Sequence, residues 1–228
     1  EISACLVGSE MCIRDRSAAL WDVCAALEIF QSAALVHDDL IDNSDTRRGR
    51  PAAHRALESA HVGAGWRGDP AAFGRSSAIL LGDLLVAWSD DLLEDAIEPL
   101  PHAAAVRREY GRMRRDVTVG QFLDIAEESA WSVHATDSHV ERALRVVSFK
   151  SARYSIEQPL VLGAAIADAD DDQLLALRRF GHPVGMAFQL RDDLLGVYGD
   201  AAVTGKPAGD DLREGKRTVL VALSLIHI

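Results

Sequence analysis

The chain has 228 residues, 48% of them hydrophobic, which is enough apolar material for one substantial core, and no internal repeat divides it. Its formal net charge of −11 excludes broad electrostatic attachment to nucleic acid or to an anionic membrane surface, because both need a basic surplus. Alanine and leucine are abundant, and turn formers do not recur at short regular spacing, so an all-α fold is expected. No uninterrupted apolar run reaches the roughly 18–20 residues that cross a bilayer, so the expectation is a cytoplasmic protein without stable membrane insertion. The three cysteines, Cys5, Cys12 and Cys24, lack CxxC spacing and predict neither a disulfide framework nor a zinc site.

Residues 1–16 (EISACLVGSEMCIRDR) and 224–228 (SLIHI) resemble translated adapter sequence more than protein, and are set aside as non-native segments. The expected domain covers 17–223 and is incomplete at both ends. Its first element is a helix from Ser17 to about Asp42, free of Gly and Pro, with Leu20, Val23, Leu27, Phe30 and Ala34 on one stripe. Asn43 to Pro51 follows as a polar loop. The Gly-rich stretch His61 to Gly74 reads as a surface loop, and helical spacing resumes from Ser76 to Ile97. Further helices are expected over Ala103–Glu128, Asp137–Ala167 and Asp171–Tyr198, with Pro159 and Pro183 kinking the last two. Gly199 to Gly215 is a second polar loop, and a final helix starts near Lys216.

Chemistry concentrates at two helix ends. In His37-Asp38-Asp39-Leu40-Ile41-Asp42, Asp38 and Asp42 are four apart and share a helix face, where like charges repel unless a cation lies between them. A helix C-terminus also opposes carboxylates, at a cost of several tenths of a kcal/mol that a bound cation offsets. Magnesium suits the pattern, since it prefers oxygen ligands and is held by one or two carboxylates plus substrate phosphates. Gln189-Leu190-Arg191-Asp192-Asp193 repeats the paired aspartates near the end of another helix. A basic loop follows each pair: Arg47, Arg48 and Arg50 after the first, Lys206, Arg213, Lys216 and Arg217 after the second. One Asp-Asp pair alone is more often a solvated helix end; two pairs, both after apolar turns, shift the balance toward a metal site. His37 is expected to be packed or hydrogen-bonded, not a ligand. Gln121 and Asp124, three apart, are equally suited to supporting a site or to a surface hydrogen bond.

These residues give the chain its resemblance to the trans-type isoprenyl diphosphate synthases of the polyprenyl synthetase family. Leu35 to Pro51 (LVHDDLIDNSDTRRGRP) is similar to the first aspartate-rich motif and Phe188 to Asp200 (FQLRDDLLGVYGD) to the second. Between and after them, in the family's order, stand Gly120 to Asp124, Phe149 to Tyr154, and Gly205-Lys206 through Lys216-Arg217-Thr218.

The resemblance implies an isoprenoid synthase-type helical bundle around a central cavity, assembled as a homodimer. It further implies a magnesium-dependent prenyltransferase that joins isopentenyl diphosphate to an allylic diphosphate. Asp38, Asp42 and Asp192 would hold three magnesium ions, supported by Asp39 and Asp193. Arg47, Lys150 and Lys206 would contact the allylic diphosphate and Arg48 that of isopentenyl diphosphate, with Gln189 and Lys216 also among the substrate-binding residues. Gln189, Ser151 and the Lys150 carbonyl would face the developing cation. Phe30, Ala33 and Ala34 would set product length, the two small residues admitting a C20 chain that stops at Phe30, although these alanines equally suit close helix packing. Gly196 stands where many members carry a third aspartate, with Asp200 as its substitute, and no Gly-Lys-x-x-Arg motif occurs before Ser17. A terpene cyclase and a non-catalytic partner subunit are the alternatives. The second motif lacks the Asn, Ser/Thr and Glu pattern of the former, and intact aspartates argue against the latter.

Overall fold

The computed structural model describes residues 18–200, 209, 212 and 215–225; the proposed non-native segment 1–16, Cys5, Cys12 and Lys206 lie outside them. The all-α expectation holds. Helix α1 spans Ala18–Ile41, and the strands β1 (Thr46–Arg47) and β2 (Arg50–Pro51) form a two-residue ribbon. Helices α2 (Ala53–Gly63), α3 (Pro70–Ile97) and α4 (Ala103–Ala130) follow. After two short 3₁₀ turns come α5 (His139–Val146), a π-helix over Val147–Glu157, α6 (Gln158–Ile166), α7 (Asp171–Tyr198) and α8 (Val219–Leu225).

Helix ends follow local chemistry. Asn43 at φ 58 takes the left-handed conformation that closes α1, while the Asp42 amide still donates to the Asp38 carbonyl at 2.8 Å. Arg48 and Gly49, at φ 52 and 73, supply the consecutive left-handed residues of a tight β1–β2 turn. Asp69 caps α3 by accepting from the Ala71 amide at 2.9 Å, with Pro70 at the first helical position. A capping box closes α7: Asp170 accepts from the Gln173 amide at 2.8 Å, and the Gln173 side chain accepts from the Asp170 amide at 3.0 Å.

Three expectations need correction. The loop read over His61–Gly74 is only 64–69, because α2 runs to Gly63 and α3 starts at Pro70. Glycines cluster between the two helices, and sequence spacing smeared that cluster into both. Asp137–Ala167 is helical but not one α-helix: a 3₁₀ turn opens it and the π-helix occupies its middle. The final helix begins at Val219, its first turn capped by Thr218, whose hydroxyl oxygen accepts from the Val221 amide at 3.3 Å. It includes Ser224 and Leu225.

The chain forms two compact units: residues up to Arg47 with Pro51–Pro101, and Arg48–Arg50 with His102 onward. In the first, α1 and α2 pack on α3. Val23, Ala26, Phe30, Ala33, Ala78, Leu93 and Ile97 are buried there, and the Ser89 hydroxyl donates to the Ala26 carbonyl at 2.6 Å. In the second, the π-helix lies between α4 and α7, and α6 packs on both of these helices. Val106, Tyr110, Met113, Val161 and Leu162 are its core, while Ala143, Val147, Val219 and Ala222 form a satellite cluster against Trp131 and Met186.

Candidate active site

In the first unit, the last turn of α1 presents its aspartates unequally. Asp39 is buried at 3% exposure, whereas Asp38 and Asp42 are partly open. Arg47, carried back by β1, donates from Nε to Asp39 Oδ1 at 2.9 Å and from Nη2 to the same oxygen at 2.5 Å, and also reaches Asp38 Oδ2 at 3.2 Å. Burial works against the Arg47 charge, but hydrogen bonding to Asp39 and the charges of Asp39 and Asp38 outweigh it and hold the guanidinium above the usual arginine range. The His37 Nε2 lies 3.2 Å from the Ile79 carbonyl and 3.5 Å from Asp83 Oδ1. Arg48 is exposed at the ribbon's turn. Of the residues expected to govern product length, Phe30 and Ala33 are buried, the latter at 0% exposure, and Ala34 is half-buried.

In the second unit, α7 repeats the asymmetry. Asp193 is buried and accepts from the Gln189 side-chain amide at 2.8 Å, one helical turn away, while Asp192 is exposed. Lys150 lies in the π-helix and donates through Nζ to Asp124 Oδ2 of α4 at 2.6 Å. Thus Asp124, whose part the sequence left open, holds the Lys150 ammonium by a charged hydrogen bond. Ser151 is half-buried beside it; Gly196 is half-buried, Asp200 is exposed, and Lys216 lies in the segment leading into α8.

Glycines of the neighbouring helices position the π-helix, two of them around Lys150 and Ala152. A methyl group on Gly120 of α4 would fall 2.3 Å from the Lys150 amide nitrogen and 2.5 Å from its Cα. One on Gly185 of α7 would fall 2.4 Å from the Ala152 carbonyl oxygen. Neither distance is possible between real atoms, so only glycine lets α4 and α7 press against the Lys150–Ala152 backbone from both neighbouring helices. π windings recur at functional positions because they change which carbonyls the helix uses for its own bonds. Here the winding contains both Lys150 and Ser151.

A family model described as polyprenyl synthetase matches residues 3–227. The chain belongs to the polyprenyl synthetase family. Among relatives, it is 37% identical over 203 residues to a geranylgeranyl diphosphate synthase of Mycobacterium tuberculosis, covering 89% of this chain and 51% of that one. It is 31% identical over 201 residues to a short chain isoprenyl diphosphate synthase of Methanocaldococcus jannaschii, covering 88% and 54%. Among solved structures it resembles a geranylgeranyl pyrophosphate synthase from Corynebacterium glutamicum complexed with isoprenyl diphosphate and magnesium. There the identity is 51% and the TM-score 0.83, covering 90% of this chain and 56% of that one. The synthetase-family chain therefore spans about half the length of the curated relatives it matches.

Prenyl diphosphate synthases of this family generally depend on magnesium, and the donor set suits that ion. Among the described residues no three His, Cys, Asp or Glu side chains gather closely enough to cage a metal alone. A cation held by one or two carboxylates, with water and phosphate oxygens completing its shell, needs no such cage. The more open aspartates, Asp38 and Asp42 in the first unit and Asp192 in the second, are carboxylates of that kind.

Proposed function

We propose that this chain is the aspartate-bearing part of a prenyltransferase that condenses isopentenyl diphosphate with an allylic diphosphate to extend a linear all-trans isoprenoid diphosphate, to C20. The observation that carries the reading is the matched asymmetry of the motifs. In each, one aspartate is buried and hydrogen-bonded within its own unit, Asp39 by Arg47 and Asp193 by Gln189, and a neighbour is left more open. That division supports Asp38, Asp42 and Asp192 as ligands and Asp39 and Asp193 as residues that hold the motifs in shape. The relatives named geranylgeranyl and short chain isoprenyl diphosphate synthases support the substrate class.

Magnesium, three ions in this reading, would neutralise the diphosphate leaving group when bound. Arg47, Lys150 and Lys206 bind the allylic diphosphate, Arg48 binds that of isopentenyl diphosphate, and Lys216 belongs to the same substrate-binding set. As the allylic carbon–oxygen bond breaks, the Gln189 amide oxygen, the Ser151 hydroxyl and the Lys150 carbonyl direct their negative ends toward the developing cation. The isopentenyl double bond supplies the electron pair of the new carbon–carbon bond, and the proton lost from the resulting cation passes to the departed diphosphate. Asp124 keeps the Lys150 ammonium in one position throughout.

A homodimer belongs to the same reading, supported by Ile79, Leu80, Leu84 and Trp88, which leave an apolar stripe of α3 exposed. So does a cytoplasmic location. Helices α1 and α3 are long and apolar enough to cross a bilayer by length and composition, but α1 carries Asp38 and Asp39 in its last turn and the two helices pack on one another.

The test is to incubate the protein with magnesium, isopentenyl diphosphate and farnesyl diphosphate and to identify the products by mass spectrometry. Geranylgeranyl diphosphate, lost on Asp192→Ala substitution, is expected. A cyclised hydrocarbon from farnesyl diphosphate, or no elongation by the protein, would overturn the proposal.

A further inference from the structure

The second unit holds another concentration of charge that the reaction does not use. A cleft of about 640 Å³ opens among α4, the π-helix and α7, and five arginines line it: Arg112 and Arg115 of α4, Arg153 of the π-helix, and Arg178 and Arg179 of α7. None of them is among the residues assigned to metal or substrate above.

The arginines divide into two sets. Arg153 is pinned by Asp116 at 2.9 Å and stacks over the Phe149 ring at 4.0 Å; Arg178 is pinned by Glu157 at 3.2 Å and by Glu109 at 2.5 Å. These pairs are largely shielded from solvent, with Glu109 at 4% exposure, and they fix the guanidinium planes on the inner side of the cleft. Arg112 stands 3.7 Å from the same Glu109. Arg115 and Arg179 are exposed, and among the described residues neither has an acidic partner. Asp116, Glu157 and Glu109 are thus already paired with the inner arginines and Arg112, and the outer two add positive charge that no carboxylate among the described residues answers. In a chain of net charge −11 this local surplus is not what the average surface would leave.

Convergent cations repel one another, and the repulsion is relieved by an anion with several oxygens and at least two charges. Guanidinium forks match the oxygens of a phosphate group in pairs. A free divalent cation, by contrast, is repelled. We propose that this cleft is a metal-independent binding site for a diphosphate group, free or at the head of an ester, held by Arg115 and Arg179 over the fixed Arg153 and Arg178. The site does not depend on the prenyltransferase reading. It uses opposite electrostatics from the aspartate motifs, which need a metal before they accept the same anion.

The experiment is calorimetric titration of the 228-residue chain with inorganic diphosphate in excess chelator. Binding is expected without magnesium, weakened tenfold or more by Arg115→Ala with Arg179→Ala, and retained by Asp38→Ala with Asp192→Ala. Both outer arginines are exposed, so circular dichroism should report an unchanged fold in the first variant. Competition with geranyl diphosphate separates the two sources of the group: displacement shows that ester heads enter the cleft, and its absence confines the site to the free anion. Absence of binding under chelation, or binding unmoved by the double arginine substitution, would overturn the proposal.

Discussion

Gly120 of α4 lies against the amide of Lys150 so closely that its missing side chain is a condition of the site, a Cβ there falling 2.3 Å from that nitrogen. Gly120→Ala must push the π-helix away from α4. We expect a loss of about 1–3 kcal/mol of stability from overpacking and a fall in kcat larger than any change in KM. The control is Gly163→Ala in α6, where an added methyl meets nothing within 4 Å. That change should be neutral or stabilise by about 0.5–1 kcal/mol, because alanine loses less backbone entropy in a helix. Equal effects at the two positions, read by denaturant unfolding, would refute the packing argument.

The Lys150–Asp124 pair, with side chains 24% and 17% exposed, is shielded enough to matter and open enough to meet a ligand. A double-mutant cycle with Lys150→Ala and Asp124→Ala should give a coupling of about 1–2 kcal/mol in unfolding. Asp124→Asn keeps the shape but removes the charge that orients the ammonium, so its cost should appear mainly in kcat. Additive single effects would show that the two side chains act independently.

The two alanines of α1 should behave differently. Ala33 is closed off at 0% exposure, and phenylalanine there has no space, so Ala33→Phe should lower the melting temperature before it alters any product. Ala34 is half-buried, and Ala34→Phe should shorten the product with little loss of stability. Product analysis by chromatography, alongside melting curves, separates the outcomes; an unchanged product from a well-folded Ala34→Phe protein removes Ala34 from the length-setting role.

Exposed Leu84 and Trp88 sit four apart on α3. If that stripe covers itself with a second copy, Leu84→Asp with Trp88→Asp should shift sedimentation from dimer to monomer, since a charge in an apolar interface is not compensated. Wild-type protein that sediments as a monomer would end this prediction.

How much was readable in advance depended on the range of the interactions. Helix α7 was legible at both ends because Asp170 and Gln173 form a local capping box and the apolar periodicity is long. The first aspartate motif stood out because Asp38 and Asp42, four apart, share a helix face, and the second because it repeats the adjacent pair at Asp192 and Asp193. The π-helix was not: its residues read as ordinary helix, and what holds the winding against its neighbours is the pressure of Gly120 and Gly185 on Lys150 and Ala152, contacts between segments far apart in the chain. Helix α2 was missed because it lies between Pro51 and a glycine cluster, two breakers that dominate so short a segment. The Glu109–Arg178 pair spans 69 residues and leaves no local pattern to read.

Arg47 changes what binding means at the first motif. With its guanidinium already seated on Asp39 and Asp38, the motif carries a resident counter-ion, and in the proposed reading a divalent cation at Asp38 would compete with it. The displaced end of Arg47 then needs another anion, and a diphosphate provides one. Magnesium and diphosphate should therefore each tighten the other's hold, with weak uptake of the metal by itself. In the proposed reading, the coupling of the two ligands would run through a single arginine side chain.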